Sequence, residues 1–189
     1  MKPRDSHKVS PSPVDRQDSK SDGLLHKVAQ LLSEGQPAQA LALLDRSNLN
    51  SPAFVNARGV CLMRLTRLDD ALRLFRSLVL APGCMWMKPD LPVIYRTNFA
   101  TILLLTNHPA GCLDVLREVS ERDHPSVIRL KRTLEEWVAG LSWHHWMAWK
   151  LGLEPSVPVQ IDYAPGEVED PSMRPDTTTP ETPPLREAA

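Results

Sequence analysis

From Leu24 onward the apolar residues fall at helical spacing. Leu24, Leu25, Val28, Leu31 and Leu32 stand at i, i+1, i+4, i+7 and i+8, on one side of a helix that Gly35 ends. Ala40, Leu41, Leu43 and Leu44 make a second helix that closes near Ser47. The same helix, turn and helix return twice. Val55, Gly59, Leu62 and Met63 lead to a turn at Thr66, after which Ala71, Leu72, Phe75 and Leu78 run to a terminating Pro82. Tyr95, Asn98, Ala100, Leu103 and Leu104 lead to a turn over Thr106 to Pro109, followed by Cys112, Leu113, Leu116 and Val119. Pro125 then opens a further helix as an N1 proline, with Val127, Leu130, Leu134, Trp137, Val138 and Leu141 on a stripe about 100° wide. Ser142 is placed to cap a short helix, Trp143 to Lys150, ended by Gly152.

Superposing the three units aligns small residues in the second helices, Ala40, Ala71 and Cys112, with bulky Leu44, Phe75 and Leu116 one turn later. In the first helices Gly59 and Ala100 share a matching site that Val28 fills in the first unit. Small side chains at such sites let two helices cross with axes about 8 to 10 Å apart. These residues carry a resemblance to the tetratricopeptide repeat (TPR) family. Its pattern of an aromatic, a small residue, a large apolar, Ala, an aromatic and Pro is matched best by Val55, Gly59, Leu62, Ala71, Phe75 and Pro82. The resemblance runs from Leu24 to Val119. Ala40 and Ala71 lie 31 residues apart, and Ala71 and Cys112 lie 41 apart, so a segment from Gly83 to Pro92 is inserted after the second unit. The implied fold is all-α: a short right-handed α-solenoid of about three TPR-like helix pairs with C-terminal capping helices and disordered tails. An ordinary helical bundle with the same periodicity is the alternative.

Composition changes this picture mainly at the ends. Of eighteen prolines, eight follow residue 152. Residues 153–189 carry eight acidic residues against Arg174 and Arg186, a net charge of −6, whereas residues 23–152 carry +4. Residues 1–22 are mostly Ser, Asp, Lys and Pro. Neither end offers enough apolar surface to offset the entropy of ordering it. The expected organisation is therefore a disordered tail over 1–22, a TPR-like helical domain over 23–152, and an acidic, Pro-rich, mostly disordered tail over 153–189.

Candidate chemistry is sparse. The chain contains no G-x-G-x-x-G, G-x-x-x-x-G-K-[ST], G-x-S-x-G or H-E-x-x-H, so a non-catalytic protein without cofactor or metal is expected. His108 and Cys112 could be read as a base and a thiol, but the Cys stands at a helix-crossing position. His144 and His145, adjacent on a helix, diverge by about 100° and do not converge on one metal. No aromatic residues alternate with Arg58, Arg64, Arg67, Arg73 and Arg76 to stack on bases, which favours a solvated face over nucleic-acid binding. An odd count of three cysteines, a polar stretch from Met1 to Ser10 and the absence of any run of 18 apolar residues give the expectation of a cytoplasmic protein.

The resemblance supplies the functional expectation. In TPR arrays the first helices line a concave groove, which here would include Leu25, Ala29, Leu32, Asn56, Val60, Met63, Arg64, Thr97, Thr101 and Leu104. Such a mostly apolar groove suits a peptide or amphipathic helix from a protein partner. Family members that grip a C-terminal carboxylate use Lys, Asn and Arg at set positions, and Leu25 and Ala29 stand where the first Lys and Asn would be. Leu32, Met63 and Leu104 could instead simply pack between repeats. A possible second surface comprises Met85 and Trp86 of the inserted segment with Trp143, Trp146 and Trp149. For the Trp-rich helix, burial that closes the end of the solenoid is the leading expectation. The functional reading is a scaffold or adaptor, with a peripheral membrane or membrane-complex component docked through residues 143–151 as the alternative. An enzyme subunit completed by a partner is the third class, and the oligomeric state is open.

Overall fold

The computed structural model describes residues 13–169. Eight helices follow one another among them: α1 (Pro13–Ser33), α2 (Pro37–Ser47), α3 (Pro52–Arg64), α4 (Leu68–Val79), α5 (Val93–Leu105), α6 (Pro109–Glu118), α7 (Pro125–Ala139) and α8 (Trp143–Lys150). The described fold is all-helical, apart from one isolated β-bridge between Leu80 and Met87.

The three hairpins α1–α2, α3–α4 and α5–α6 share one turn. Each holds its middle residue at positive φ: Gly35 at 71°, Thr66 at 58° and Asn107 at 62°. In each, the residue after it donates its N–H five positions back, Gln36 to Leu31 (2.8 Å), Arg67 to Leu62 (3.0 Å) and His108 to Leu103 (2.8 Å). That bond satisfies a carbonyl the helix end leaves open. The next helix begins the same way each time, with Ala40, Ala71 and Cys112 donating to Gln36, Arg67 and His108, all at 3.1 Å. A β-branched Thr66 in the left-handed region costs about 1 to 2 kcal/mol relative to Gly, so tertiary packing holds this turn where local preference opposes it.

Packing follows the small positions. Ala40, Ala71 and Cys112 are fully buried, as are Leu44 and Phe75. A Cβ at Gly59 would stand 2.5 Å from the Phe75 ring, so only glycine admits that ring. Helices α1, α3, α5 and α7 touch in succession, while α2, α4 and α6 lie between neighbours of that row. As a result α3 and α5 are enclosed on most sides. Eight of the thirteen residues of α3 and nine of the thirteen of α5 are buried.

Three expectations differ from the structure. Helix α1 begins at Pro13, inside the stretch assigned to the N-terminal tail, because a helix nucleated by the Leu24–Leu32 stripe propagates upstream at little cost and Pro is well placed at its first position. The boundary drawn at residue 152 also fails. Residues 153–169 are non-helical, yet Pro155, Val159 and Gly166 are buried, and the segment returns across the helical body. Residues 1–12 and 170–189, to which the rest of both predicted tails belongs, lie outside the described residues.

The third difference concerns α8. Its bounds and its Ser142 N-cap position match the sequence reading, but it has no buried residue. Trp143 is 77% exposed and Trp146 41%, and Leu151 and Leu153 beyond it are also exposed. Only Trp149 turns inward, meeting Trp137 of α7 edge-to-face at 5.2 Å. The Trp-rich helix is therefore not closed into the core: an eight-residue helix offers one narrow face to α7, and Trp149 occupies it.

Candidate functional site

Part of the face that the resemblance assigns to a groove, along α3 and α5, is covered by the chain itself, which also crosses α7. After α8 the chain first meets α6, where Glu154 accepts the Ala110 N–H (3.0 Å) and lies 3.6 Å from His108 Nδ1, a carboxylate at a helix N-terminus. It then passes α7, whose Trp137 indole N–H donates to the Val157 carbonyl (3.1 Å). Between residues 157 and 166 partly or fully buried positions alternate with exposed ones up to Pro165, and Gly166 is buried. That is the pattern of an extended segment laid on a surface.

Recognition concentrates on Glu167. Its N–H donates to Asn98 Oδ1 (2.9 Å), and its carbonyl accepts from Asn98 Nδ2 (2.7 Å) and Asn56 Nδ2 (3.2 Å). Asn98 Nδ2 also donates to Asn56 Oδ1 at 2.8 Å, which fixes the two amides relative to each other. The two asparagines are 1% and 2% exposed, so their amides meet the segment's main chain away from water. The carboxylate of Glu167 accepts from Ser126 Oγ (2.7 Å) and pairs with Arg129. Arg129 also stacks over the Tyr163 ring, 4.6 Å from its centroid.

One residue N-terminal, the main chain is read again. Arg64 donates to the carbonyls of Pro165 (3.2 Å) and Gly166 (3.0 Å), and on its other side to that of Leu32 (2.7 Å). Gly166 has φ +77°, and a Cβ there would stand 2.5 Å from Met63 Cε and 3.0 Å from Val60. Both facts demand glycine. Further along, the Tyr95 hydroxyl lies 3.5 Å from Glu169 Oε2.

Of the groove residues read from sequence, the structure brings Asn56, Val60, Met63 and Arg64 onto this segment, and Leu32 contributes a carbonyl to Arg64. Thr97, Thr101 and Leu104 are buried in α5. The two threonine hydroxyls donate to the carbonyls of Ile94 (3.1 Å) and Thr97 (2.8 Å) within their own helix. Asn98, Ser126 and Arg129 were missed, as was the segment that they hold. The signal for Asn98 is an amide amid the apolar residues of α5. For the segment it is the alternation of Val157, Val159, Ile161 and Tyr163, a period of two that the prolines and acids around it mask.

Met85 and Trp86 are 90% and 65% exposed at the tip of the inserted segment, whose base is held by the Leu80–Met87 bridge and by Lys88 Nζ on the carbonyls of Ser77 and Leu78, both at 2.8 Å. Trp146 and Trp149 line an apolar cleft of about 610 Å³ with Leu113, Leu134, Val138 and Leu141. The arginine run does not form one face. Arg58 donates to the carbonyls of Leu44 and Leu49 (both 2.9 Å), Arg64 joins the groove, and Arg67 and Arg73 pair with Asp70. Cys112 is fully buried, and burial raises its thiol; Cys61 is pushed up to about 12 by the same cause. His108 faces Glu154 rather than a thiolate. Among the described residues no group of three or more His, Cys, Asp and Glu is arranged to hold a metal ion, and no helix is long and apolar enough to cross a membrane.

Comparison with protein-family models, with curated proteins and with solved structures finds no match to this chain.

Proposed function

We propose that this protein is a non-catalytic adaptor, a short TPR-like solenoid whose groove along α3, α5 and α7 binds an extended peptide segment of a partner protein. The observation that carries this reading is the paired use of Asn98 on Glu167: one buried amide donates to and accepts from a single residue's main chain. A side chain that reads both the N–H and the carbonyl of an extended segment recognises a chain in that conformation whatever side chains it bears. Arg64, donating to two successive carbonyls, adds to the same mode. The repeated turn of the three hairpins supports the repeat reading.

The test is an array of extended peptides probed with the full chain and with its Arg64→Ala variant. Selective retention by the wild type, weakened about tenfold or more in the variant, is the expected result for a charged donor to two carbonyls. Equal retention by both rejects the groove as a peptide site.

A second reading rests on a different observation, the exposure of Trp143, Met147, Leu151 and Leu153 beside Lys150. It makes α8 the dock to a membrane surface or membrane complex. Flotation with anionic vesicles tests it, and loss of flotation in Trp143→Ser with Leu151→Ser is the outcome it requires.

A further inference from the structure

The segment already in the groove carries more than main-chain recognition. Asn56, Asn98 and Arg64 grip atoms that every residue has, so they define conformation and register. Two further contacts read side chains. At residue 166 Met63 Cε and Val60 leave no room for a Cβ, and φ is +77°. At residue 167 Ser126 and Arg129 together meet a carboxylate. The groove thus selects, at adjacent positions, the absence of a side chain and then an acid that can reach α7.

The way the segment is attached separates it from the core proper. Among the inward-facing apolar side chains from Val157 to Tyr163, Val159 alone is buried. From Tyr163 to Glu169 the segment is held mainly by hydrogen bonds, an ion pair and the close fit of Gly166, with Val168 only partly buried against the core. The run from Leu151 to Glu154, which ties the segment to α8, is exposed. A segment held largely by polar contacts and delivered by an exposed connection is one that a competing chain of the same chemistry can replace.

Resting on the reading of the groove as a peptide site, we infer that residues 163–169 are the resident form of the groove's ligand, and that the partner peptide it takes in trans is an extended segment with a Gly–Glu step, which must displace the chain's own. The Gly sits at positive φ against Val60 and Met63, the Glu carboxylate on Ser126 and Arg129, and the main chain of both on Asn56, Asn98 and Arg64. Tethering gives the resident segment an effective concentration of about millimolar order, so a competing peptide binds the intact chain more weakly than the chain whose tether is cut.

The experiment uses the full chain with a protease site inserted between Gly152 and Pro155, its helical circular dichroism checked before cutting. The probe is a fluorescein-labelled peptide with the sequence of residues 160–170, followed by anisotropy. Cutting is expected to tighten binding of the probe by about tenfold or more, as the tethered competitor becomes a free one. Replacing the probe's Gly by Val is expected to weaken it by about tenfold or more through the clash and the positive φ. Replacing its Glu by Gln is expected to weaken it about two- to fivefold, since the Arg129–Glu167 pair is partly exposed.

Retention of the cut segment through gel filtration with no uptake of probe would make residues 157–169 a structural strap and overturn the inference. So would dimers formed without added peptide, which would make a second copy the occupant. Array peptides lacking a Gly–Glu step that bind the cut chain as tightly as the probe would leave the peptide groove standing and remove its selectivity. No binding of any peptide to the cut, emptied chain would instead remove the groove itself. Should the insertion impair folding, the intact Gly166→Ala chain is the second measurement. Its own segment is displaced, so it should bind the wild-type probe about tenfold tighter than the wild-type chain does, and equal affinity overturns the inference.

Discussion

The helix α8 and the segment from residue 157 to 169 lie next to each other in the chain and have opposite fates. The first holds three of the five tryptophans with Met147, and buries none of its residues completely. The second lies in the acidic, Pro-rich region, and it places Val159 and Gly166 in the interior and its main chain on buried asparagines. Hydrophobicity sets how much burial would stabilise a segment; whether burial occurs depends on a surface that fits. Helix α8 lies against α7, where Trp149 makes the inward contact. The segment meets a face whose Asn56 and Asn98 amides and Arg64 guanidinium keep hydrogen-bonding capacity beyond their contacts with each other and with Leu32, and leaving such a buried group unsatisfied would cost about 1 to 3 kcal/mol.

The largest expected effect lies at the residue both regions share. Trp137 packs on Trp149 of α8, donates to Val157 of the segment and is 9% exposed. Trp137→Ala should lower unfolding stability by about 3 to 5 kcal/mol in a denaturant titration. A loss below 1 kcal/mol would show that the aromatic junction does not anchor the C-terminal region.

Next in size is Asn98→Ala, which removes the bonds to both the N–H and the carbonyl of Glu167. It should cost about 1 to 3 kcal/mol and speed hydrogen exchange across residues 157–169 while α8 is unchanged. Equal acceleration in both would mean that they open as one unit. Raising pH sharpens the same contrast without a mutation. Burial raises the Tyr163 phenol, against the opposing pull of the Arg129 charge. The folded chain favours the neutral phenol, so docking keeps full strength below the ordinary tyrosine value of about 10 and weakens as pH rises through the higher folded one. Exchange of 157–169 should therefore accelerate above about pH 10, and Tyr163→Phe should remove that acceleration. Cys61, pushed up to about 12, destabilises the whole domain over the same range, so the local readout is the one that discriminates. The smallest effect belongs to α8. Trp143→Ala should change stability by no more than about 0.5 kcal/mol, as for other exposed positions, and a loss of 3 kcal/mol would restore the capping role that the sequence suggested.

Periodicity made the helices legible because helix formation answers to spacing that lies along the chain. The stripe Leu24 to Leu32, the small residues Ala40, Ala71 and Cys112, the Pro125 start and the Ser142 to Gly152 bounds of α8 were all readable as local patterns, and so was the intimacy of Gly59 with a bulky neighbour. Four residues of the candidate groove were legible as well, since Asn56, Val60, Met63 and Arg64 share one face of a helix whose neighbours the repeat fixes. The turn at Thr66 was placed correctly, although nothing in a threonine favours its φ of 58°.

Which surfaces meet was settled by the folded chain. Glu167 lies 69 residues from Asn98 and 111 from Asn56, and no spacing rule connects them. Composition alone set the segment aside as tail because acids and prolines are disfavoured in a core; an acid that finds Ser126 and Arg129, and a glycine that fits against Met63 and Val60, are exceptions made by complementarity. For the tryptophans the error ran the other way, because a helix rich in apolar surface still needs a partner face of matching extent. The order of residues was enough to read the helices, their turns and the close-packed seams between them, all governed by contacts within a few residues or by a repeating pattern. The groove's occupant and the exposure of α8 depended on long-range fit, which the order of residues encodes only through the folded whole.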